Sequence, residues 1–145
     1  MVEQTLMLVK PDGVRARRIG DILSRVEAAG FSIRGMKMVR LRQETAGQFY
    51  DIHREKPFFR DLLGFMTSDR IVAVALEGED AVAALRRLVG DTDSAKAAKS
   101  TIRGTFGTNK QENAVHASDS VDNAAREISF FFSREELVSV NSAGQ

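Results

Sequence analysis

The sequence predicts an α+β fold of the ferredoxin-like type: a four-stranded antiparallel sheet (βαββαβ) with a helical insertion and a long loop. Two observations predict the central strands and their neighbours. Residues 5–9 and 71–76 are continuous apolar runs, typical of strands buried on both faces. A segment with helical spacing follows each run, so the chain divides into two halves that each begin with a strand and a helix.

The first half supplies two strands and one helix. The strand at residues 5–9 ends at the turn-forming segment 11–13, Pro-Asp-Gly. Residues 19–26 have apolar side chains at helical spacing, and Gly30 stands where a C-terminal cap is expected. The apolar residues of segment 31–41 share one parity, which predicts the second strand.

A helical insertion separates the halves. It covers residues 44–54 and continues in a second short helix that begins at Pro57, whose fixed φ suits a first turn. The strand at 71–76 follows, and then a helix that begins at residues 79–80 and ends at Gly90.

The last part of the chain contains the long loop. Residues 91–112 have no strong periodicity, and long loops in compact domains are usually functional. Ser120 is predicted to be the N-cap of a helix through roughly Arg126, and residues 128–132 are predicted to be the last strand. The polar tail after Leu137 is expected to fray.

The sheet has a second face that needs cover. The helices of both halves are expected on one face, yet the strands at 5–9 and 71–76 are apolar at both parities. The helical insertion can cover part of the second face. We expect a partner subunit to cover the rest, which predicts a homo-oligomer.

Length and composition limit the function classes. The 145 residues are most simply one domain, covering 1–145. Lys and Arg total 21 against 20 Asp and Glu, which argues against a protein that coats nucleic acid. The chain has no cysteine, and therefore no disulfide or thiolate metal site. The N-terminal apolar run is too short for a signal peptide or a membrane span, so we expect a cytoplasmic location without membrane contact.

One of the two histidines lies in a segment suited to phosphate chemistry. Residues 113–120 read Asn-Ala-Val-His-Ala-Ser-Asp-Ser, so His116 is close to an amide, two hydroxyls and a short acid. Imidazole titrates near neutral pH and can carry a transferred group as a nucleophile. The other histidine, His53, is expected at the surface among charged residues.

Phosphate-binding side chains are dispersed along the chain. The sequence has no Walker-type loop and no dinucleotide fingerprint. Lys10 ends a strand, Arg86 lies in the last turn of a helix, and Thr92 and Arg103 lie in the long loop. Guanidinium groups bind phosphate in a bidentate manner. Each residue alone also has an ordinary explanation, since a cation in a last turn complements the helix dipole.

Five segments resemble, in the same order, motifs of the nucleoside diphosphate kinase family, and the resemblance extends from residue 5 to about residue 137. The five are Leu8-Val9-Lys10-Pro11-Asp12-Gly13, Pro57-Phe58-Phe59, Gly90-Asp91-Thr92-Asp93, Thr101-Ile102-Arg103-Gly104 and the octapeptide 113–120. A single motif would be weak support, whereas five collinear ones are strong.

The resemblance implies an enzyme that moves the γ-phosphate of ATP or another nucleoside triphosphate to a nucleoside diphosphate, by a ping-pong reaction through a phosphohistidine. The implied catalytic residues are the nucleophile His116, then Lys10, Tyr50 and Asn113 around the transferring group, and Glu127 with Ser118 to orient the imidazole. The implied nucleotide-binding residues are Lys10 and Asn113, then Arg86, Thr92 and Arg103 at the phosphates and Phe58 under the base. Taken alone, Phe58 would more often belong to the core than serve for stacking, and Tyr50 could simply pack with its hydroxyl satisfied.

The resemblance also implies Mg²⁺ and self-association. The metal would be carried by the nucleotide phosphates without direct protein ligands, and Asp119 is the only acid beside His116. The assembly would be a tetramer or hexamer built from dimers, and nucleic acid is not required.

The long loop departs from the commonest family pattern. Ser94 and Thr105 replace a proline and the aspartate of an Arg-Gly-Asp triplet, and Lys99-Ser100 replaces a Pro-Gly pair. None of these is an expected phosphate ligand, so catalysis should survive. Loop rigidity and subunit contacts are in doubt, because lost prolines enlarge the unfolded ensemble.

A second hypothesis is a binding protein without enzymatic use. The basic residues Arg15, Arg17 and Arg18 could contact a phosphate backbone. Such a module would not need His116 together with Glu127, however. A purely structural oligomer component explains none of the five motifs.

Overall fold

The computed structural model describes residues 1–139 and consists of one antiparallel sheet with helices on both faces. The strands are β1 (Val2–Val9), β2 (Ser32–Val39), β3 (Ile71–Glu79) and β4 (Val115–Ala117), in the spatial order β2-β3-β1-β4. The helices are α1 (Pro11–Arg15), α2 (Ile19–Ala28), α3 (Gln43–Phe49), α4 (Phe59–Met66), α5 (Ala81–Val89), α6 (Ile102–Phe106) and α7 (Val121–Phe131), with 3₁₀ turns at Asp51–His53 and Arg134–Glu136. The predicted α+β fold is confirmed.

The central strands are buried on both faces, as the apolar runs predict. β1 pairs with β3 along its whole length, with Leu6 opposite Ala75 and Met7 opposite Val74. Leu6 packs in one apolar cluster and Met7 in the other, and both are fully buried. Alternate side chains of one strand therefore form two separate cores.

Helices of this chain cover both cores. The first core includes Ile22 of α2 and Leu85 of α5, as expected. The second core includes Phe49 of α3, Met66 of α4 and Ile128 of α7. The argument that a partner subunit is needed to complete the cover of the second face was wrong, because α7 of the same chain covers it together with the insertion.

The prediction of the last strand was wrong. Residues 128–132 form the end of α7 and the residue after it, and the fourth strand is Val115–Ala117. The predicted N-cap is confirmed, since the Ser120 side chain accepts a hydrogen bond from the Asn123 N–H at 3.1 Å. The helix runs past Arg126 because the short, mostly apolar segment 128–132, with Ser129 as its one polar residue, fits a helix as well as a strand, and periodicity cannot separate the two.

Other boundaries shift by a few residues. The predicted turn at 11–13 opens α1, because Pro11 suits a first helical position. The helix after Pro57 begins at Phe59, and the loop 91–112 contains α6.

At the chain end, the Val138 N–H still donates to the Arg34 carbonyl oxygen at 2.8 Å. The rest of the tail, residues 140–145, lies outside the described residues. Among the residues that are described, no helix has the length and apolar character needed to cross a membrane.

Candidate active site

A cleft of about 320 Å³ opens beside β4, where the ends of β1 and α5, the insertion and the long loop converge. All of the predicted site residues except Ser118 line it, and Ser118 is fully buried behind its wall. The predicted residues that line the cleft are Lys10, Tyr50, Phe58, Arg86, Thr92, Arg103, Asn113, His116 and Glu127. Residues that are far apart in the sequence thus share one surface.

His116 is the middle residue of β4 and pairs with Leu8 of β1. Its Nε2 lies 2.8 Å from Glu127 Oε1, and its side chain is 22% exposed. A carboxylate at Nε2 favours the proton on that nitrogen, which leaves the Nδ1 lone pair available. The imidazole is therefore oriented, and one of its nitrogens is free to attack.

Glu127 is held as a carboxylate behind the imidazole. Burial opposes its ionisation, but hydrogen bonds from His116 and Ser118 keep its pKa below the ordinary value. Ser118 Oγ donates to the same oxygen, Oε1, at 2.7 Å. Glu127 belongs to α7 and not to the start of a strand, so its predicted place in the fold was wrong although it faces His116.

Lys10 is a buried cation at the floor of the cleft. Its Nζ donates to Asn113 Oδ1 at 2.8 Å and to the Gln111 carbonyl oxygen at 2.7 Å. The pKa of Lys10 is lowered to about 8, because burial lowers it, the charge of Asp12 opposes that effect and the charge of Arg103 adds to it. An anion beside Nζ would restore the preference for the charged form.

Asn113 connects the long loop to Lys10. Its Nδ2 donates to the Thr92 carbonyl oxygen at 2.9 Å and to the Lys110 carbonyl oxygen at 3.0 Å. With Oδ1 bound to Lys10, the amide uses both ends and is only 2% exposed. Its orientation is therefore determined by the surrounding groups.

Two arginines of the cleft bind the backbone of β4. Arg103 Nη2 donates to the Val115 carbonyl oxygen and Arg86 Nη1 to the Ala117 carbonyl oxygen, both at 3.1 Å. Burial lowers the pKa of Arg103 to about 10, and the charge of Arg86 adds to the effect. Their hydrogen bonds go to backbone carbonyls, so the positive charge in the cleft is not neutralised by these contacts.

Aromatic and imidazole rings form the other end of the cleft. Phe58 is 47% exposed, and the His53 ring lies 5.6 Å from it between ring centres. Burial and then the negative charge of Glu127 raise the pKa of Tyr50, whose hydroxyl therefore stays protonated. The open ring of Phe58 is suited to stacking on a planar ligand.

His53 is partly exposed, in keeping with the prediction of a surface residue, but it also lines the cleft, which the sequence did not predict. Burial, followed by the charges of Lys56 and His116, lowers its pKa. His53 follows Tyr50 by three residues, and this spacing could have indicated from the sequence that the two side chains share one helical face. Sequence reasoning also missed other residues of the lining, which are Phe49, Ile52, Leu62, Lys110, Val115, Ala117, Asn123 and Arg126.

Of the unusual loop residues, Thr105 is held by polar side-chain contacts, whereas the buried Ser94 Oγ has no hydrogen-bond partner among the described residues. Thr105 Oγ1 lies 2.8 Å from the carbonyl oxygens of both Lys99 and Thr101, and it accepts a hydrogen bond from Arg25 Nη1 at 2.9 Å. Ser94 is buried, 6% exposed. Thr105 thus links α6, which carries Arg103, to α2.

Acidic groups in the cleft are few. Asp119 lines it, and Asn123 Nδ2 donates to Asp119 Oδ1 at 2.6 Å. Within residues 1–139, no three His, Asp or Glu side chains come close enough together to hold a metal ion.

Comparisons with known proteins give one consistent result. A family profile described as "Nucleoside diphosphate kinase" matches residues 3–137. The nucleoside diphosphate kinase of Chlorobium limicola is 50% identical over 140 residues, which are 97% of this chain and 100% of that protein. The Aquifex aeolicus nucleoside diphosphate kinase crystal structure superposes with a TM-score of 0.93 at 49% identity, covering 95% of this chain and 100% of that one. A Halobacterium salinarum nucleoside diphosphate kinase in complex with CDP has a TM-score of 0.94 at 41% identity, covering 99% and 95% of the two chains.

Proposed function

The chain belongs to the nucleoside diphosphate kinase family, and from that premise we propose how the residues of its cleft perform the reaction. The enzyme transfers the γ-phosphate of a nucleoside triphosphate to a nucleoside diphosphate through a phosphohistidine. The observation that carries the assignment of residues is the hydrogen bond between His116 Nε2 and Glu127, which leaves Nδ1 open to the cleft.

His116 Nδ1 attacks the γ-phosphorus, the bond from that phosphorus to the β-phosphate oxygen breaks, and the nucleoside diphosphate leaves. A second diphosphate then takes the group from Nδ1 by the reverse steps. Glu127 stabilises the positive charge that develops on the ring, and Ser118 fixes the carboxylate. Because Nδ1 must be unprotonated to attack, acid should suppress the first half-reaction.

The cations of the cleft stabilise the phosphoryl group while it is being transferred. Lys10 and Asn113 lie on the floor of the cleft, while Arg86 and Arg103 approach the backbone of β4, which carries His116. Phosphoryl transfer requires mainly alignment and charge stabilisation. We assign Lys10, Asn113 and Tyr50 to the transferring group, and Arg86, Thr92 and Arg103 to the other phosphates.

Phe58 provides the contact to the base. Its exposed ring at the mouth of the cleft supports a stacking role, and every base has a π-face, so base preference should be broad. The relative from Halobacterium salinarum was solved with CDP, which supports binding of nucleoside diphosphates at the corresponding cleft.

Mg²⁺ accompanies the nucleotide in this proposal. The ion would come with the phosphates of the nucleotide and would supply further positive charge to them. The scarcity of carboxylates around the cleft, where Asp119 is the one nearest in sequence to His116, supports a metal carried by the substrate.

Self-association is proposed on the basis of strand β2. This strand forms an edge of the sheet, and its Met36 and Met38 are 54% and 48% exposed. An open edge with apolar side chains favours pairing with another chain. We propose a homo-oligomer on this basis, either a tetramer or a hexamer, and a mass measurement in solution would distinguish the two. A cytoplasmic location and a single domain over residues 1–145 remain predictions.

Labelling tests the assignment of the nucleophile. Incubation with γ-labelled ATP and Mg²⁺ should leave acid-labile, base-stable label on the protein, and His116→Gln should abolish both the label and turnover. His53→Gln is the matched control, because it removes the other histidine of the cleft and should retain the label. Label that persists on His116→Gln would exclude His116 as the phosphate carrier.

A further inference from the structure

Ala114 has a backbone conformation that its residue type gives no reason to expect. Its φ is +72°, in the left-handed region that residues with a Cβ rarely adopt. The Val115 N–H donates to the Asn113 carbonyl oxygen at 2.9 Å. The three residues thus form a γ-turn whose central residue has positive φ, the rarer and strained form. Since strain persists only where surrounding groups enforce it, something must hold this turn.

The junction of β1 and α1 holds it on both sides. The Lys10 N–H donates to the Ala114 carbonyl oxygen at 2.8 Å, and the Ala114 N–H donates to Asp12 Oδ2 at 2.9 Å. Gly13 permits the close approach, because a Cβ there would lie 3.1 Å from the Ala114 carbonyl oxygen. Ala114 is fully buried, so loss of either partner would leave an unsatisfied polar group.

The turn connects two parts of the active site. Before it stands Asn113, whose side chain binds Lys10 Nζ. After it begins β4, with His116 in the middle of the strand. A relaxed, extended Ala114 would lengthen this connection and displace Asn113 and Lys10 relative to the imidazole.

We propose that Asp12 is a positioning residue for phosphoryl transfer: its carboxylate binds the Ala114 amide, holds the γ-turn and so sets His116 against Lys10 and Asn113. The inference rests on the proposed function, because it takes His116 as the phosphate carrier. The competing explanation is that Asp12 acts by its charge on Lys10. Asparagine separates the two, since it keeps a hydrogen-bond acceptor for the Ala114 N–H and removes the charge.

The experiment compares Asp12→Ala and Asp12→Asn with the unchanged enzyme in steady-state and single-turnover labelling assays. In Asp12→Ala, kcat and the rate of labelling should fall roughly tenfold or more, because small misplacements of reacting groups are costly. The KM for nucleotide should change little, because the arginines and Phe58 are untouched. Asp12→Asn should recover most of kcat. Asp61→Ala is the control, since it removes an exposed aspartate from the first turn of α4 and should change neither constant.

A second substitution tests the role of strain. Glycine adopts positive φ without penalty, so the double variant Asp12→Ala with Ala114→Gly should regain part of the kcat that Asp12→Ala loses. A merely structural role of Asp12 would lower the melting temperature and leave kcat per folded molecule unchanged. Circular dichroism establishes the folded fraction used for that comparison.

Three results would overturn the inference: normal kcat in folded Asp12→Ala, an equal loss in Asp12→Asn, or no recovery in the double variant. Should Asp12→Ala not fold, Asp12→Glu takes its place. The longer side chain keeps the charge near Lys10 but misplaces the oxygen at Ala114, so kcat should fall, and normal kcat would contradict the proposal. Label on His116→Gln in the same assay would instead refute the proposed function.

Discussion

Alkaline pH offers a direct test of how Lys10 works, because its ammonium group must be charged to stabilise the phosphoryl group. Burial lowers the pKa of Lys10 from its ordinary value of 10.5 to about 8. That lowering corresponds to about 3 kcal/mol in favour of the neutral amine. The free enzyme should therefore lose this charge in a pH range where most lysines keep it.

The expected size of the effect follows from the pKa. Above about pH 8, the charged fraction of Lys10 falls about tenfold for each further pH unit, and kcat/KM should fall with it. Bound phosphates favour the charged amine, so the decline in kcat should begin at higher pH than the decline in kcat/KM.

The assay measures kcat/KM against pH with ATP as donor and CDP as acceptor, whose bases do not titrate in this range. Lys10→Arg is the informative variant. Its guanidinium stays charged throughout this range, so the alkaline decline of kcat/KM should disappear. The plateau value of kcat/KM should nevertheless be lower, because the planar guanidinium differs in shape from the compact ammonium group. If kcat/KM of the wild-type enzyme stays constant across pH 8–10, or if Lys10→Arg shows the same alkaline decline, the decline cannot be assigned to Lys10.

Three further substitutions test other parts of the molecule. Ionised Glu127 stabilises the fold at pH values above its ordinary pKa of 4.5, and this stabilisation is lost as the pH falls through its lowered pKa in the folded protein. The unfolding free energy of Glu127→Gln, measured by urea titration, should therefore depend less on pH in acid than that of the unchanged enzyme. Phe58→Ala should raise KM by a factor that corresponds to about 1–3 kcal/mol for purine and pyrimidine nucleotides alike; a change confined to one base would contradict simple stacking. Thr105→Val should lower stability by about 1 kcal/mol while Thr105→Ser does not, and equal urea midpoints would show that the contacts to Lys99 and Arg25 contribute nothing.

The sequence was sufficient to predict the fold class and nine of the nineteen residues that line the cleft. Residues 5–9 and 71–76 are apolar without alternation, and only burial on two faces satisfies such runs. The five motifs single out Lys10 and Arg103, and the structure places both in the cleft that His116 lines.

The remaining features depend on tertiary contacts that a local pattern does not contain. β4 has three residues, too few to show a period of two, and the run 128–132 fits either period. The positive φ of Ala114 has no signal in its residue type, because it is imposed by Asp12 and Lys10 from more than a hundred residues away in the sequence.

Helix α7 contributes both to the active site and to the second core, which matters for engineering. Glu127, which orients the nucleophile, immediately precedes Ile128, which fills the second core. Any repacking that rotates or shifts this helix will move the carboxylate together with the apolar side chain. Substitutions meant to raise thermostability should therefore be sought first on α2, which packs on the other core and carries none of the residues assigned to the reaction.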